Sequence, residues 1–469
     1  MRTLLLCLTL FGLPAMADEI VNDVTGLNPI RVQQVIAPTE LQQIVDAVKS
    51  HSGPISIAGG RFSMGGQTAS TNALQIDMRD FDQVLGFSAE RREIRVQAGI
   101  TWREILEYID PHDLSPQIMQ SYANFSIGGS LSVNVHGRYV GEGPLVGSVH
   151  SLRMVLADGR LVEASPTHNS ELFYGAIGGY GGLGVIVEAT LGLAENSRLA
   201  RETLVMPLAE YRPWFYRQVL GQEDVVMHNG ILYPDSFDKV RAVSYRRTDA
   251  ALTEPARLVP LHRSYPLEQA GIRLTSSSQA GRKLREAAVD PLLYRAPQVQ
   301  WRNHEASLDV RELAPISGAD FSFVLQEYFV PPAQLERFIG ELARLTKQHQ
   351  ANLINVSIRH AKADPGTLLA WAPEEVFALV LYYRQGSSEA ERNKAAVWTR
   401  DLIDAALACG GRYYLPYQIH ASRNQFLAAY PKAPQFFALK QRLDPTYKFR
   451  NRLWDAYYPV AAPSNSLAR

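Results

Sequence analysis

Residues 54–67, PISIAGGRFSMGGQ, run from alternating apolar positions straight into four glycines. Ile55 and Ile57 alternate with small or polar residues, which predicts a short half-buried strand. Gly59, Gly60, Gly65 and Gly66 follow, with Arg61, Ser63 and Gln67 among them. Glycine tolerates positive φ and lets a ligand or a second backbone come close. Successive exposed N–H groups in such a turn form a concave site suited to a pyrophosphate. An ordinary glycine-rich turn is the alternative that these residues alone leave open. The spacing is not G-x-G-x-x-G and no long apolar helix follows at once, which argues against a Rossmann loop.

Two further clusters strengthen the ligand reading. Residues 127–130, IGGS, lead to Asn134, His136 and Gly137, and residues 178–184 open into a strand over 185–191. Three glycine-rich turns, each beside a strand, point to loops converging on one ligand of dinucleotide size. Around them, Thr39 with Gln42 predicts a capped helix carrying Leu41, Ile44, Val45 and Val48. Strands are expected over 74–78 and 94–98, and Thr101 with Glu104 caps a helix through Tyr108. Asp158-Gly159 predicts a hairpin joining 152–156 to 161–164. The first two hundred residues read as a mixed α/β domain rich in short strands.

The second half has a different character. Residues 250–316 are rich in proline and arginine with little periodicity, so an irregular connection with one or two short helices is expected. A strand over 321–330 comes next. Pro331-Pro332 then opens a helix with Leu335, Phe338, Ile339, Leu342 and Leu345 on one face. Strands over 353–359 and 376–384 precede a helix over 389–408, which Gly410-Gly411 stops, and a strand over 413–415. Alternation places Leu353, Asn355, Ser357 and Arg359 on one strand face. Strand–helix–strand twice over is the pattern of an antiparallel sheet with helices on one face, and the fold class is α+β.

With 469 residues the chain can hold two or three domains, and 47 basic against 47 acidic residues give a nucleic-acid partner no support. Residues 1–17, MRTLLLCLTLFGLPAMA, combine an arginine, an apolar run and an A-x-A end. They predict a secretory signal cleaved after Ala17 and a periplasmic or secreted protein; an uncleaved anchor is the alternative. Cleavage leaves Cys409 as the one cysteine, so no internal disulfide is expected. No group of His, Cys, Asp and Glu has metal-ligand spacing.

The three clusters, AGGRFSMGGQ, SIGGSLSVNVHG and GGYGGLGVIVEATL, in this order resemble the FAD-binding domain of the vanillyl-alcohol oxidase and p-cresol methylhydroxylase type. The aldonolactone and alditol oxidases and the decaprenylphosphoryl-ribose oxidases belong to that family. LDPTYKFRNRLW resembles the closing segment of its sugar and lactone oxidases. The resemblance implies a two-domain flavoprotein: a signal peptide (1–17), an FAD-binding domain (18–198), an antiparallel-sheet substrate cap (199–415) and a segment closing the site (416–469). It places Ala58, Gly59, Gly60, Arg61, Phe62, Ser63 and Gln67 at the pyrophosphate. Gly128, Gly129, Ser130, Asn134, His136 and Gly137 fall along the ribityl chain and ring, and Gly182, Gly184 and Ile186 complete the site. Many members tether FAD through a histidine before the serine of the first turn. Phe62 stands there, so non-covalent FAD is expected.

In the cap, Ser357-Ile358-Arg359 matches a Glu-x-Arg pair of the alditol and galactonolactone enzymes, with the glutamate missing. The implied reaction is oxidation of a hydroxyl carbon of a sugar, alditol or sugar lactone by hydride transfer to the flavin. Oxygen, a quinone or a redox protein is the electron acceptor. Such chemistry requires a base and a cation. Arg359 is the candidate cation, and Glu327, Tyr417 and His420 are the candidates for base or proton donor. Two alternatives remain open. One is an enzyme of lipid-linked or envelope sugars with peripheral membrane contact, motivated by the arginines of 241–302. The other is a flavoprotein scaffold without catalysis.

Overall fold

In the computed structural model, residues 19–312 and 320–459 are described. The expected signal peptide lies outside them. A hairpin, β1 (Glu19–Val21) with β2 (Ile30–Val32), precedes three short parallel strands. These are β3 (Gln34–Ile36), β4 (Ile55–Ala58) and β5 (Leu74–Asp77), in spatial order β3-β5-β4. α1 (Leu41–Ser50) crosses between them and buries Ile44, Val45 and Val48, the face its periodicity implies. Its capping box is formed by Glu40 and Gln43, one residue beyond the expected Thr39 and Gln42.

An antiparallel sheet follows, in order β10-β9-β11-β7-β6. It comprises β6 (Val84–Ser88), β7 (Glu93–Gln97), β9 (Val149–Val155), β10 (Leu161–Ala164) and β11 (Val185–Glu195), with β8 (Leu114–Pro116) pairing the end of β11. α2 (Trp102–Ile109), α3 (Ile127–Val133) and α4 (Ser170–Ala176) pack around it. Thr101 and Glu104 form the expected capping box of α2. The hairpin turns at Gly159, whose φ of +81° lies where glycine is favoured.

The chain leaves this sheet at Glu195 and enters a second one at Arg198. The order there is β15-β12-β14-β13-β17-β18-β16-β19, antiparallel throughout. β12 (Arg198–Pro207), α5 (Leu208–Phe215), β13 (Val225–Leu232) and β14 (Lys239–Arg247) come first. α6 (Pro266–Ser277), α7 (Gln279–Leu284), α8 (Asp290–Leu293), β15 (Val299–Trp301) and α9 (Arg302–Ala306) make the connection over 250–312 more helical than expected. β16 (Phe321–Val330), α10 (Leu335–Gln348), β17 (Leu353–Ala361), β18 (Val376–Gly386), α11 (Glu389–Ala408) and β19 (Arg412–Tyr413) complete the sheet.

Register decides which side chains share a face, because directly opposed residues point the same way. Glu327, Val380 and Ser357 form one row across β16, β18 and β17, and Phe329, Ala378 and Arg359 form the next. The other face carries Tyr328, Tyr383 and Phe377. Helices cover it: Tyr328 meets Phe338 of α10 at 5.5 Å, Tyr383 meets Trp398 of α11 at 4.9 Å, and Phe377 meets Phe215 of α5 at 5.2 Å between ring centroids. The Glu327 and Arg359 face is thereby free to meet the first domain. Leu353 is the exception to the expected alternation: a bulge between Leu353 and Asn355 takes it out of that row, opposite Tyr383.

The chain then returns to the first domain. α12 (Arg423–Ala429) packs on α11, where Gln425 bonds to Arg400 and Asp404, while α13 (Ala433–Leu443) and α14 (Arg452–Tyr457) pack on the first domain and Phe449 bridges to Ile55 of β4. Lys440 is fully buried, with its ammonium on Asp444 (2.8 Å), the Gly182 carbonyl (2.7 Å) and the Phe449 carbonyl (2.8 Å). The 362–375 loop docks the cap through Trp371 Nε1, which donates to the Asn134 carbonyl at 2.8 Å.

Candidate active site

β4 delivers the first glycine turn. A Cβ on Gly59 would lie 2.1 Å from Ser126 Oγ, and one on Gly65 would lie 2.5 Å from the Tyr417 carbonyl. Both positions admit only glycine without displacement. Gln67 staples the turn: its Oε1 accepts from Gly65 N at 2.8 Å, while Nε2 donates to the Leu415 and Tyr417 carbonyls at 2.7 Å each. Arg61 turns its guanidinium to Gln75 (2.9 Å) and Asp77 (3.0 Å). Gln67 is thus engaged within the protein, whereas Arg61 keeps a buried Nε with no partner among the described residues. Ala58 ends the strand, Gly60 and Ser63 lie in the turn, and Phe62 stacks on Phe125 at 4.3 Å.

The second cluster opens α3. Gly128 N donates to the Ala98 carbonyl at 2.7 Å, and a Cβ there would meet Ala98 Cβ at 3.0 Å. Gly129 follows in the same turn. Ser130 is buried between the Trp102 indole (2.9 Å) and Gln120 (3.1 Å). Asn134 donates to Asp364 (2.9 Å) and accepts from Val146 N (3.0 Å). These two were expected along the cofactor; their side chains instead hold loops together. A Cβ on Gly137 would fall 2.1 Å from the Met119 carbonyl. Gly184, at φ +152°, lets β11 approach Val155, Gly182 receives Lys440, and Ile186 pairs with Met154 in the sheet core.

Ser126, missed from the sequence, tests whether a cofactor fits. Its hydroxyl is buried at Gly59 and has no partner among the described residues. An unpaired buried hydroxyl is costly, and here it faces a glycine cradle suited to phosphate oxygens. These residues fit FAD.

On the cap, Glu327 is the centre of a buried set. His136 Nε2 meets its Oε1 at 2.5 Å, and the Tyr417 hydroxyl donates to its Oε2 at 3.2 Å. Trp371 packs beside His136 at 4.8 Å. Burial holds the Tyr417 phenol well above its ordinary range, with Glu327 adding to the effect, so Tyr417 is a donor and not a base. Arg359, two strands from Glu327, is half-buried, and its Nε is buried with no partner among the described residues. Burial lowers its pKa, Glu327 opposes that, and Arg138 adds to it.

Arg138, Tyr122 and Glu312 were not foreseen. Arg138 is paired with Glu305 at 2.6 Å. Burial raises Tyr122, whose charged neighbours are Glu312, Arg138 and Arg359, and burial pushes Glu312 up to about 7. Their signal was adjacency: Tyr122 and Arg138 flank the second glycine cluster. His420, expected as a candidate base, lies outside this set. Burial and the neighbouring Arg400 of α11 lower its pKa to about 4, and neither Glu327 nor Arg359 is among its partners.

The short parallel β unit and the antiparallel sheet with its three glycine loops form an FAD-binding domain, and the sheet-and-helix cap packs against it. The FAD binding domain family matches residues 32–165. L-galactono-1,4-lactone dehydrogenase 1, mitochondrial, of Oryza sativa subsp. japonica is 27% identical over 219 residues, covering 46% of this chain and 37% of that protein. L-gulonolactone oxidase of Mus musculus is 21% identical over 444 residues, covering 91% and 94%. Cytokinin dehydrogenase 7 of Oryza sativa subsp. japonica is 26% identical over 200 residues, covering 40% and 37%. The chain thus spans little over a third of the length of the plant lactone dehydrogenases it matches.

Proposed function

We propose that this chain is an FAD-dependent oxidoreductase that oxidises a hydroxyl-bearing carbon of a sugar, alditol or sugar lactone. The observation that carries the reading is the set formed by buried Glu327 and His136 with half-buried Tyr417 and Arg359, contributed by both domains. Bound FAD supplies an acceptor for the hydride. Glu327 takes the substrate hydroxyl proton, while His136 and Tyr417 orient its two oxygens. Arg359 provides the positive charge that favours electron transfer out of the substrate. The names of the lactone dehydrogenase and oxidase relatives support a sugar-like substrate.

FAD is held without a covalent bond in this reading, because Phe62 stands at the tether position. Residues 1–17 export the chain to the periplasm or beyond, and oxygen, a quinone or a redox protein takes the electrons. A substrate carried on an envelope lipid is the second reading, favoured by the outward leucines and unpaired basic residues of 261–295.

The test is to screen the purified protein against polyols, sugars and lactones for bleaching of the flavin absorbance. A responding substrate is then taken to stopped-flow. Arg359→Ala should slow flavin reduction by at least about tenfold with FAD content unchanged. Arg359→Lys should recover little, since a point charge does not reproduce the planar fork. Absence of bleaching across the panel would favour a flavoprotein without catalysis, and a wild-type rate for Arg359→Ala would remove the site assignment.

A further inference from the structure

The three helices α6, α7 and α8 are built inside out. α6 buries only Thr275 and Ser276, α7 only Gly281, and α8 only Asp290. Their leucines face outward: Leu267 is 83% exposed, Leu292 69% and Leu293 63%, with Leu274 and Leu284 exposed beside them. Seven of the thirteen exposed large apolar side chains among the described residues fall within residues 261–295. The exposure is thus concentrated in this segment, and a concentration of exposed apolar side chains of this kind marks a site of contact.

Charge indicates what the contact is. The same segment holds six lysines or arginines and three acidic residues, in a chain whose formal net charge is zero. Each acidic residue is already paired: Glu268 with Arg263 (3.4 Å), Glu286 with Lys239 (3.2 Å) and Asp290 with Arg285 (3.3 Å). Arg273, Lys283 and Arg295 are exposed and form no ion pair among the described residues. The charge left over is therefore entirely positive. A second copy docking about a two-fold axis would set this patch against itself, cation against cation. Leucines interleaved with unpaired cations on short surface helices suit the boundary between lipid headgroups and acyl chains. No helix among the described residues is long and apolar enough to cross a membrane, so the contact would be with the surface.

We propose that α6–α8 dock on a membrane surface carrying anionic lipid, with the leucines in the acyl boundary and Arg273, Lys283 and Arg295 on lipid phosphates. The docking surface borders the candidate site. Arg282 and Arg285 reach Asn352 and Asn355 at 3.3 and 3.1 Å, and Asn355 lies two residues before Ser357 on β17. The inference stands apart from the oxidation reaction, since it needs no turnover.

The test is co-sedimentation with vesicles, using the chain from Asp18 onward. That chain contains every described residue and lacks the apolar run of residues 1–17. It should pellet with vesicles of phosphatidylethanolamine and phosphatidylglycerol, and far less with phosphatidylcholine alone. Combined replacement of Arg273, Lys283 and Arg295 by Gln should lower partitioning on the order of 100-fold at low salt. Combined replacement of Leu267, Leu274, Leu292 and Leu293 by Ser should lower it at least about tenfold. Flavin absorbance reports that the variants are folded. Wild-type protein that stays in the supernatant, or variants that pellet as wild type does, would overturn the proposal. A vesicle-free dimer that the leucine variant converts to monomer would assign the surface to a second copy and overturn it equally.

Discussion

The Glu327 carboxyl meets two donors from different parts of the chain, His136 from the flavin-loop side and Tyr417 from the returning segment. A side chain bonded through both oxygens has little freedom to rotate, which is what a positioned proton acceptor requires. Its row in the sheet explains a departure visible in the sequence. Ser357 stands where the matched pair would have a glutamate, and Glu327 lies in that same cross-strand row, with Val380 between. A carboxylate is present on this face after all, supplied by β16 in place of β17. His420 illustrates the reverse outcome. Its folded pKa of about 4 lies below the unfolded value of about 6.5. The unfolded state therefore binds the proton first, and His420 contributes stability that is full above pH 6.5 and lost as pH falls towards 4. The contribution is on the order of 3 kcal/mol. His420→Gln should flatten the loss of stability between pH 6.5 and 4.5, read as the difference from wild type in urea midpoints. A variant whose midpoints fall in parallel with wild type would show that His420 titrates normally.

At the scale of elements, the first glycine turn and the strand-end segment carrying Tyr417 behave as one unit, because Gln67 bonds to both. Gln67→Ala removes three hydrogen bonds and leaves the Gly65 N–H and two carbonyls without their partner. With each such bond worth about 1 kcal/mol, a loss of about 2–4 kcal/mol in stability is expected, together with weaker FAD retention. Thermal unfolding and the flavin-to-protein absorbance ratio measure the two effects. Unchanged values in both would mean that the staple carries no energy. The helix α3 shows why local propensity fails at such a place. Two glycines in its first turn cost about 1 kcal/mol each against alanine, so the sequence there does not read as helix. Contact with Ala98 leaves no room for a Cβ at Gly128, and the tertiary requirement prevails. β13 and β14 escaped notice for a related reason. β13 is buried along most of its length, so it lacks the alternation that marks a half-buried strand.

At the scale of the whole molecule, the candidate FAD site draws on three stretches far apart in the chain: the glycine loops, the cap strands and the C-terminal return. A cofactor held only by such contacts binds the folded chain and not the unfolded one, so it stabilises by mass action. Acid denaturation should release all the yellow colour into the supernatant, and Phe62 is the reason. Native protein stripped of FAD should unfold at a lower temperature, with the difference restored on adding FAD back. Colour that stays with the washed precipitate would reveal a tether at another residue. The C-terminal return depends on the buried Lys440–Asp444 pair, whose ammonium also binds the Gly182 carbonyl.

The sequence by itself determined the three glycine clusters, their order, and the spans of β16 and α11, because backbone permissiveness and periodicity are local properties. The likeness of those clusters to a family sufficed to name the cofactor. Which side chains work on it was decided by tertiary structure. Gln67, Ser130 and Asn134 carry the right chemistry for a ligand, yet each is bonded to a protein partner that the fold brings near. Ser126, Arg138 and Tyr122 look unremarkable in one dimension and become candidates through burial and neighbours. Cross-strand register joined Glu327 to the row of Ser357 across about thirty residues of chain, two strands apart at roughly 4.8 Å per step. Hydrogen-bond partners and register belong to the packed sheet, and no stretch of sequence read alone contains them.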